Sequence, residues 1–375
     1  MSLGLVILGL ILFVSLVVVH EFGHLLMARR NGVEVEEFGI GFPPIAWSKK
    51  LKSGMLFTIN LLPLGGFVRL KGEHDADTEK GSYGAASLWS KTKIISAGVL
   101  VNLFVAVIMF TLLALIGMPK IIDDQFTVAG DTKILKNEVL VGVVEENSPA
   151  SQAGLQARDK LVSIGTNDTD KKDISSAEDL PSATSSFAGK TVKITYERDG
   201  HPAASETTLR TSDEVDKSKS TNEPKGYLGV VPTEYTLQRS TWSAPIVGVG
   251  ISKQFAVLTY KGLGSVVAGL FKGDTAQATS QVSGPVGVFV LIRDGSELGI
   301  QFILMIIAVI SLTLALMNAL PIPALDGGRL FVTYLYRILG KKLTPKAEEL
   351  IHGVGFFVLM GLFVLITFVD VKRFF

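Results

Sequence analysis

The chain has 375 residues, of which 47% are apolar and 19% charged, with five histidines, no cysteine and a formal net charge of +1. High apolar content with few charges points to a membrane class, and the near-neutral balance argues against a nucleic-acid binder, which should carry a basic excess. Without cysteine, disulfides, thiolate zinc sites and thiol nucleophiles are excluded, so any metal must be held by His, Asp, Glu or backbone groups.

In chain order, the first predicted element is an apolar run from Leu3 to about Met27, long enough to cross a bilayer as a helix. It lacks the basic start and small-x-small cleavage site of a signal peptide, and it ends in His20-Glu21-Phe22-Gly23-His24, so it is read as a retained span. In the loop from Ala28 to Lys93, Phe57–Leu62 and Phe67–Lys71 are strand-like, and Pro63-Leu64-Gly65-Gly66 between them suits a tight turn. That pattern predicts a β-hairpin. Glu73–Gly84 is acidic and Gly-containing, and is expected to be mobile. A second span runs from about Ile94 to Met118.

The long segment from Pro119 to Leu298 reads as a separate folded unit followed by a connector. Strands are expected at Glu138–Val144, Lys160–Ile164, Thr191–Glu197 and Glu206–Leu209, and a helix at Ser175–Phe187 capped by Ser175 or Ser176. Thr211–Lys225, rich in Ser, Lys, Asp and Glu, reads as a linker. Ile246–Phe271 has the length of a span, but Lys253 and Lys261 would cost roughly a few kcal/mol each at the bilayer centre. Their spacing fits an amphipathic helix lying on the membrane surface. The third and fourth spans cover about Ile300–Leu320 and Ile351–Val369.

Basic residues in short loops set orientation. Arg29, Arg30, Lys49, Lys50 and Lys52 in the first loop, and Arg329, Arg337, Lys341, Lys342 and Lys346 between spans three and four, place both loops in the cytoplasm. Both termini and the segment Pro119–Leu298 are then outside, a placement that Lys372 and Arg373 fit poorly. The expected organisation is 1–118 for the first two spans, 119–212 for the outer domain, 213–298 for the linker and surface helix, and 299–375 for the last two spans.

The strongest chemical signal is His20-Glu21-Phe22-Gly23-His24. On a helix, residues four apart share a face, so His20 and His24 can bind one zinc ion with Glu21 beside it as general base. Such a site activates water for attack on a peptide carbonyl. Ionisable residues at the end of an apolar span are expensive unless they line a functional cavity. A third ligand is required; His74, His201 and His352 are candidates by residue type. Asp326 is the better one, because it ends the third span on the same side as His20 and His24. It sits in Asn318-Ala-Leu-Pro321-Ile-Pro323-Ala-Leu-Asp326-Gly-Gly-Arg329, where the prolines break the helix and Gly327 and Gly328 permit unusual backbone geometry.

His-Glu-x-x-His in a first span with Asn-x-x-Pro-x-Pro-x-Leu-Asp-Gly in a late one resembles the site-2 protease family of intramembrane zinc metalloproteases. The layout is similar to its bacterial, regulator-of-sigma-E-protease-like branch with one PDZ domain. Val143–Leu155 and Asp159–Gly165 resemble the core run of bacterial PDZ domains, departing from it at Arg158, where Gly is common. Gly98-Val-Leu-Val-Asn102 lacks the Pro that relatives often carry after the Gly, a departure expected to lie away from the chemistry. Ser283–Val288 also resembles a family segment.

The resemblance implies a multi-pass α-helical membrane protein with four transmembrane helices. An extracytoplasmic α+β PDZ domain would be inserted between spans two and three, and a membrane-associated β-hairpin would face the cytoplasm. It further implies zinc held by His20, His24 and Asp326, with Glu21 as catalytic base. Substrate would be bound by Asn318, Pro321, Pro323 and the Gly65-Gly66 turn, with the unwound substrate added as a strand. The implied partners are membrane lipids and single-span membrane proteins, such as trimmed anti-sigma factors or signal-peptide remnants, cut in the plasma membrane. The rival reading is a non-catalytic membrane chaperone or scaffold that works through its PDZ domain.

Overall fold

The computed structural model describes residues 3–220, 224–272 and 283–375. Part of the expected linker (221–223) and part of the connector ahead of the third span (273–282) lie outside the described residues. The chain divides into two compact units: Met1–Met118, Asp124–Asp131 and Ser240–Phe375 form one, and Pro119–Asp123 with Thr132–Arg239 the other.

Among the described residues of the first unit, four helices are long and apolar enough to cross a membrane: α1 (Leu3–Arg30), α2 (Leu88–Ile116), α8 (Ile300–Asn318) and α10 (Pro345–Phe374). Helices α2 and α10 begin about a turn before their apolar runs because capping side chains start them there. Ser87 accepts from the Ser90 amide, and Thr344, followed by Pro345, accepts from the Ala347 amide. Helices α1 and α8 pack through Val6, Leu16, Ile303, Ile306 and Ile307, with Ile292 of the short helix α7 (Pro285–Gly295). Helix α10 leaves Phe357, Val364 and Leu365 exposed, as a helix facing lipid does.

Between α1 and α2, β1 (Val35–Lys50) and β2 (Leu56–Leu70) form a hairpin, but its turn lies elsewhere than expected. The chain reverses at Leu51–Met55, where the Leu51 amide donates to Met55 and Gly54 adopts a φ of +86°. Pro63–Gly66 instead lies within β2. Residues 45–50 pair with 56–60, while 66–70 fold back to pair with Val35–Ile40. The expected partners Phe57–Leu62 and Phe67–Lys71 therefore flank the first half of β1. The missing ingredient was β1 itself, whose Gly-Ile-Gly-Phe-Pro-Pro stretch shows no simple alternation.

Glu73–Gly84, expected to be mobile, is pinned. Lys91, fully buried, pairs with Asp75. The Asp75 amide donates to the buried carboxylate of Glu348. Tyr83 is buried under the guanidinium of Arg329, which also donates to the Glu73 carbonyl. Burial pushes the Tyr83 phenol up to about 12. The segment thus supplies partners for the buried Lys91 and the half-buried Arg329 rather than a solvated run.

Helix α6 (Ala244–Lys272) covers the stretch expected as a surface helix. Its first turns lie along α2: Phe255 stacks on Phe110, and a Cβ on Gly248 would meet the Val107 carbonyl at 3.0 Å.

The second unit is a sheet of β3 (Lys133–Val144), β4 (Lys160–Gly165), β5 (Lys172–Asp173), β6 (Thr191–Arg198), β7 (His201–Thr208) and β8 (Val230–Arg239). They lie in the order β8-β3-β4-β6-β7, with β5 beside β4. Alternate residues Val139, Val141, Leu161, Val192 and Ile194 point into one core with Leu180 and Ala183 of α4 (Asp179–Ser186). The short helix α3 (Pro149–Gln152) closes it with Ala150. Neither Ser175 nor Ser176 caps α4; their amides donate to Asp179 instead. The domain end expected at residue 212 falls at Arg239, because β8 pairs along the whole of β3, from Lys133–Arg239 to Val144–Val230. Half of the expected linker is helix α5 (Ser212–Ser218), started by a Thr211–Glu214 capping box and holding Val215 buried.

Candidate metal centre

The site is built in the first unit from three helices. Helix α1 supplies His20 and His24 on one face, both buried, with Glu21 between them in sequence. Helix α9 (Asp326–Ile338) supplies Asp326 as its first residue. His20 Nε2 lies 3.1 Å and His24 Nε2 3.2 Å from Asp326 Oδ2, and the two Nε2 atoms are 3.2 Å apart.

The connection that delivers Asp326 explains the Pro and Gly content of its motif. Helix α8 stops at Asn318, and 319–325 fold back over the first turn of α9. A Cβ on Gly327 would meet the Leu320 carbonyl at 2.5 Å, and one on Gly328 would lie 2.8 Å from Pro323 N. These glycines serve close approach. The unusual backbone falls instead on Ala324, at φ +76°, whose amide donates to His352 Nδ1 at 3.1 Å.

Of the other sequence candidates, His74 pairs with Glu348 and Glu349, His352 holds Ala324, and His201 is exposed on β7. Asn318 donates to the Leu314 carbonyl, and Pro323 packs on Gly355, where a Cβ would meet its carbonyl at 2.6 Å. Neither touches the converging atoms in the described contacts. Gly65 and Gly66 do lie beside α1. Cβ atoms there would stand 3.3 Å from Val17 Cγ1 and 3.8 Å from Glu21 Cγ, and the backbone of Val68 hydrogen-bonds Glu21. A cleft of about 470 Å³ reaches Asp326, lined by His74, Arg329 and His352 together with the apolar Leu325 and Phe356.

The donor set fits a zinc ion. Asp326 Oδ2 is buried and receives no hydrogen bond, and His24 Nδ1 is engaged by the Ile94 carbonyl at 2.8 Å, which leaves the Nε2 lone pair pointing inward. With the ring protons on Nδ1, the two Nε2 lone pairs and Asp326 Oδ2 converge and repel one another unless a cation lies between them. Separations of 3.1–3.2 Å are close to the edge of a tetrahedron with bonds of about 2.0–2.1 Å.

Residues 8–362 match peptidase family M50, the site-2 proteases. The chain belongs to that family. This M50 peptidase is 28% identical to a putative zinc metalloprotease of Clostridium perfringens, over 98% of both chains. It is also 28% identical to the regulator of sigma-W protease RasP of Bacillus subtilis, over the whole of both, and 26% identical to a probable protease, eep, of Enterococcus faecalis, over 98% of both. It is a membrane-embedded zinc metalloendopeptidase, and zinc is its cofactor.

Sequence reasoning missed the part of the M50 centre that comes from α2. Gly98 faces the imidazoles directly, so the Gly98–Asn102 segment does not lie away from the chemistry. Asn102, 1% exposed, has its side-chain amide 3.3 Å from His20 Nδ1. The available signal was a Gly and an Asn four residues apart inside an apolar span, the same spacing as the two histidines.

Proposed function

We propose that His20, His24 and Asp326 hold the catalytic zinc, and that Glu21 is the general base for hydrolysis of peptide bonds within the transmembrane segments of single-span proteins. The convergence of His20 Nε2, His24 Nε2 and Asp326 Oδ2, all within 3.2 Å of one another, carries the assignment. Zinc bound there supplies Lewis-acid polarisation of a carbonyl and makes water nucleophilic near neutral pH. Glu21 takes a proton from water as its oxygen adds to the scissile carbonyl carbon. It returns that proton to the amine nitrogen as the C–N bond breaks. His24 is oriented by the Ile94 carbonyl, and the loop 319–325 fixes Asp326.

Substrate is placed as an added strand along Gly65 and Gly66, beside Glu21, with Asn318, Pro321 and Pro323 on its other side. A helix must be opened before its carbonyls can be attacked, and a strand edge holds the opened chain through main-chain hydrogen bonds. The second unit is a PDZ domain on the extracytoplasmic side that screens substrates by size. The runs Val143–Leu155 and Asp159–Gly165, and the left-handed Arg158 at a position where Gly is common, support that reading. The active site then faces the cytoplasm, in keeping with the basic loops around it. Substrates are trimmed anti-sigma factors or signal-peptide remnants; the name of the Bacillus subtilis relative, a regulator of sigma-W protease, supports the first class.

The test is Glu21→Gln in a membrane cleavage assay with a single-span substrate. Cleavage should fall by at least about 10²-fold with zinc retained; undiminished cleavage would remove Glu21 from its role. Single-cysteine labelling tests topology: Asp131→Cys should label from outside the cell, and Gly81→Cys and Lys341→Cys only after permeabilisation.

A further inference from the structure

We infer that Asn102 is a positioning residue that holds His20 in the ring tautomer able to bind zinc through Nε2. The inference rests on the ligand assignment above. A neutral imidazole carries one N–H and one lone pair, so a ring that ligates through Nε2 must place its proton on Nδ1 and needs an acceptor there. For His24 the acceptor is the Ile94 carbonyl, 2.8 Å from Nδ1. For His20 the group at Nδ1 is the Asn102 side-chain amide, at 3.3 Å.

Residues 94, 98 and 102 fall at successive i, i+4 positions, one stripe of α2. That stripe meets His24 and His20 with an acceptor at each end and Gly98 between. The Asn102 amide has two ends related by a half-turn, and the hydrogen-bond partners decide which end faces the ring. With Nδ2 toward His20, the amide donates to Nδ1 and the ring proton sits on Nε2, where it blocks ligation. With Oδ1 toward His20, the oxygen accepts the Nδ1 proton and Nε2 keeps its lone pair for the metal. The donor set at the centre selects this second orientation.

Asn102 also ties the histidine helix to the helix that leads to Asp326. Its backbone carbonyl accepts from Ser311 Oγ of α8 at 2.8 Å, and α8 runs directly into the 319–325 loop. One residue thus touches His20 through its side chain and, through its backbone, the helix that leads to the Asp326 loop. Outer partners of ligating histidines typically change metal affinity by roughly 10–100-fold when removed.

The experiment measures zinc affinity of the full-length protein in detergent, by elemental analysis after equilibration in chelator-buffered zinc. Asn102→Leu keeps the shape but offers no acceptor, and should lose roughly 10–100-fold in affinity. Asn102→Asp keeps an oxygen at the ring and should bind within about threefold of wild type, a rescue that a purely structural role would not produce. Ser311→Ala loosens the α2–α8 contact without touching His20 and should also retain wild-type affinity. Wild-type affinity in Asn102→Leu, or equal losses in Asn102→Leu and Asn102→Asp, would overturn the inference. Wild-type zinc affinity in His20→Ala would overturn the ligand assignment and this inference with it, a result distinguishable from the failure of Asn102 alone.

Discussion

Gly98 of α2 stands so close to His20 of α1 that a Cβ at residue 98 would lie 2.8 Å from Nε2 and 2.7 Å from Cε1. The same carbon would also press on His24 Nε2. The imidazole edges proposed to hold zinc are therefore covered by a residue without a side chain. The next contact along the helices is equally close: a Cβ on Gly23 would meet the Ala97 carbonyl at 2.9 Å.

Gly98→Ala should consequently act on the metal rather than on the fold alone. Overpacking a tight interface costs about 1–3 kcal/mol, and here the added methyl would press on both Nε2 atoms. Zinc affinity is expected to fall at least about tenfold, with cleavage lost in proportion. Metal analysis beside a cleavage assay checks this. Full zinc occupancy with full activity would show that α2 can retreat.

The pair Lys91–Asp75 yields a second prediction. Lys91 is fully buried and Asp75 nearly so. Removing one partner of a buried ion pair typically costs about 3–5 kcal/mol, whereas replacing both is far milder. Lys91→Met should therefore release Glu73–Gly84, seen as new protease cleavage in that segment. Adding Asp75→Asn should largely restore resistance. Equal sensitivity of the single and double variants would mean that Asp75 is not the group left stranded.

What the sequence made legible, and what it hid, follows from the range of the interactions involved. The four apolar helices could be read because 20-residue apolar runs are a local property. His20, Glu21 and His24 were readable because helical spacing alone puts two imidazoles on one face, and Asp326 because helix breakers and an acid at the end of a span are conspicuous. Gly98 and Asn102 were set aside because their role depends on which helix lies opposite them. The β1–β2 register was misplaced for the same reason: Phe67–Leu70 finds its partner thirty residues upstream, past a nearer strand. Glu73–Gly84 reads as an exposed acidic run until Lys91 is seen buried, and Arg329 half-buried, against it.

A third prediction concerns the loop that carries Asp326. Ala324 adopts φ +76° and donates its amide to His352 Nδ1, which ties the left-handed residue to α10. His352→Leu removes that acceptor and frees the loop next to the ligand. Zinc affinity should fall by roughly tenfold, at the low end of the effects of outer-shell partners. Chelator competition measures it. An unchanged affinity would show that Gly327, Gly328 and the Pro323–Gly355 contact suffice to hold Asp326.

The last prediction lies in the second unit and concerns stability. Arg158 adopts φ +76° while its amide donates to the Val141 carbonyl at 2.6 Å, so the left-handed turn is needed to join β4 to β3. A side chain with a Cβ pays about 1–2 kcal/mol in that conformation, and glycine does not. Glycine also gains freedom in the unfolded chain, which offsets part of the relief. Arg158→Gly should therefore stabilise the unit by roughly 0.5–1 kcal/mol. Hydrogen exchange of the β3 and β4 amides in the full-length protein should slow by about two- to fivefold. Asn147, at φ +56°, is the control, since Asn tolerates the left-handed region and Asn147→Gly should change exchange little. Faster exchange in Arg158→Gly would show that contacts of the Arg158 side chain outweigh the backbone strain it carries.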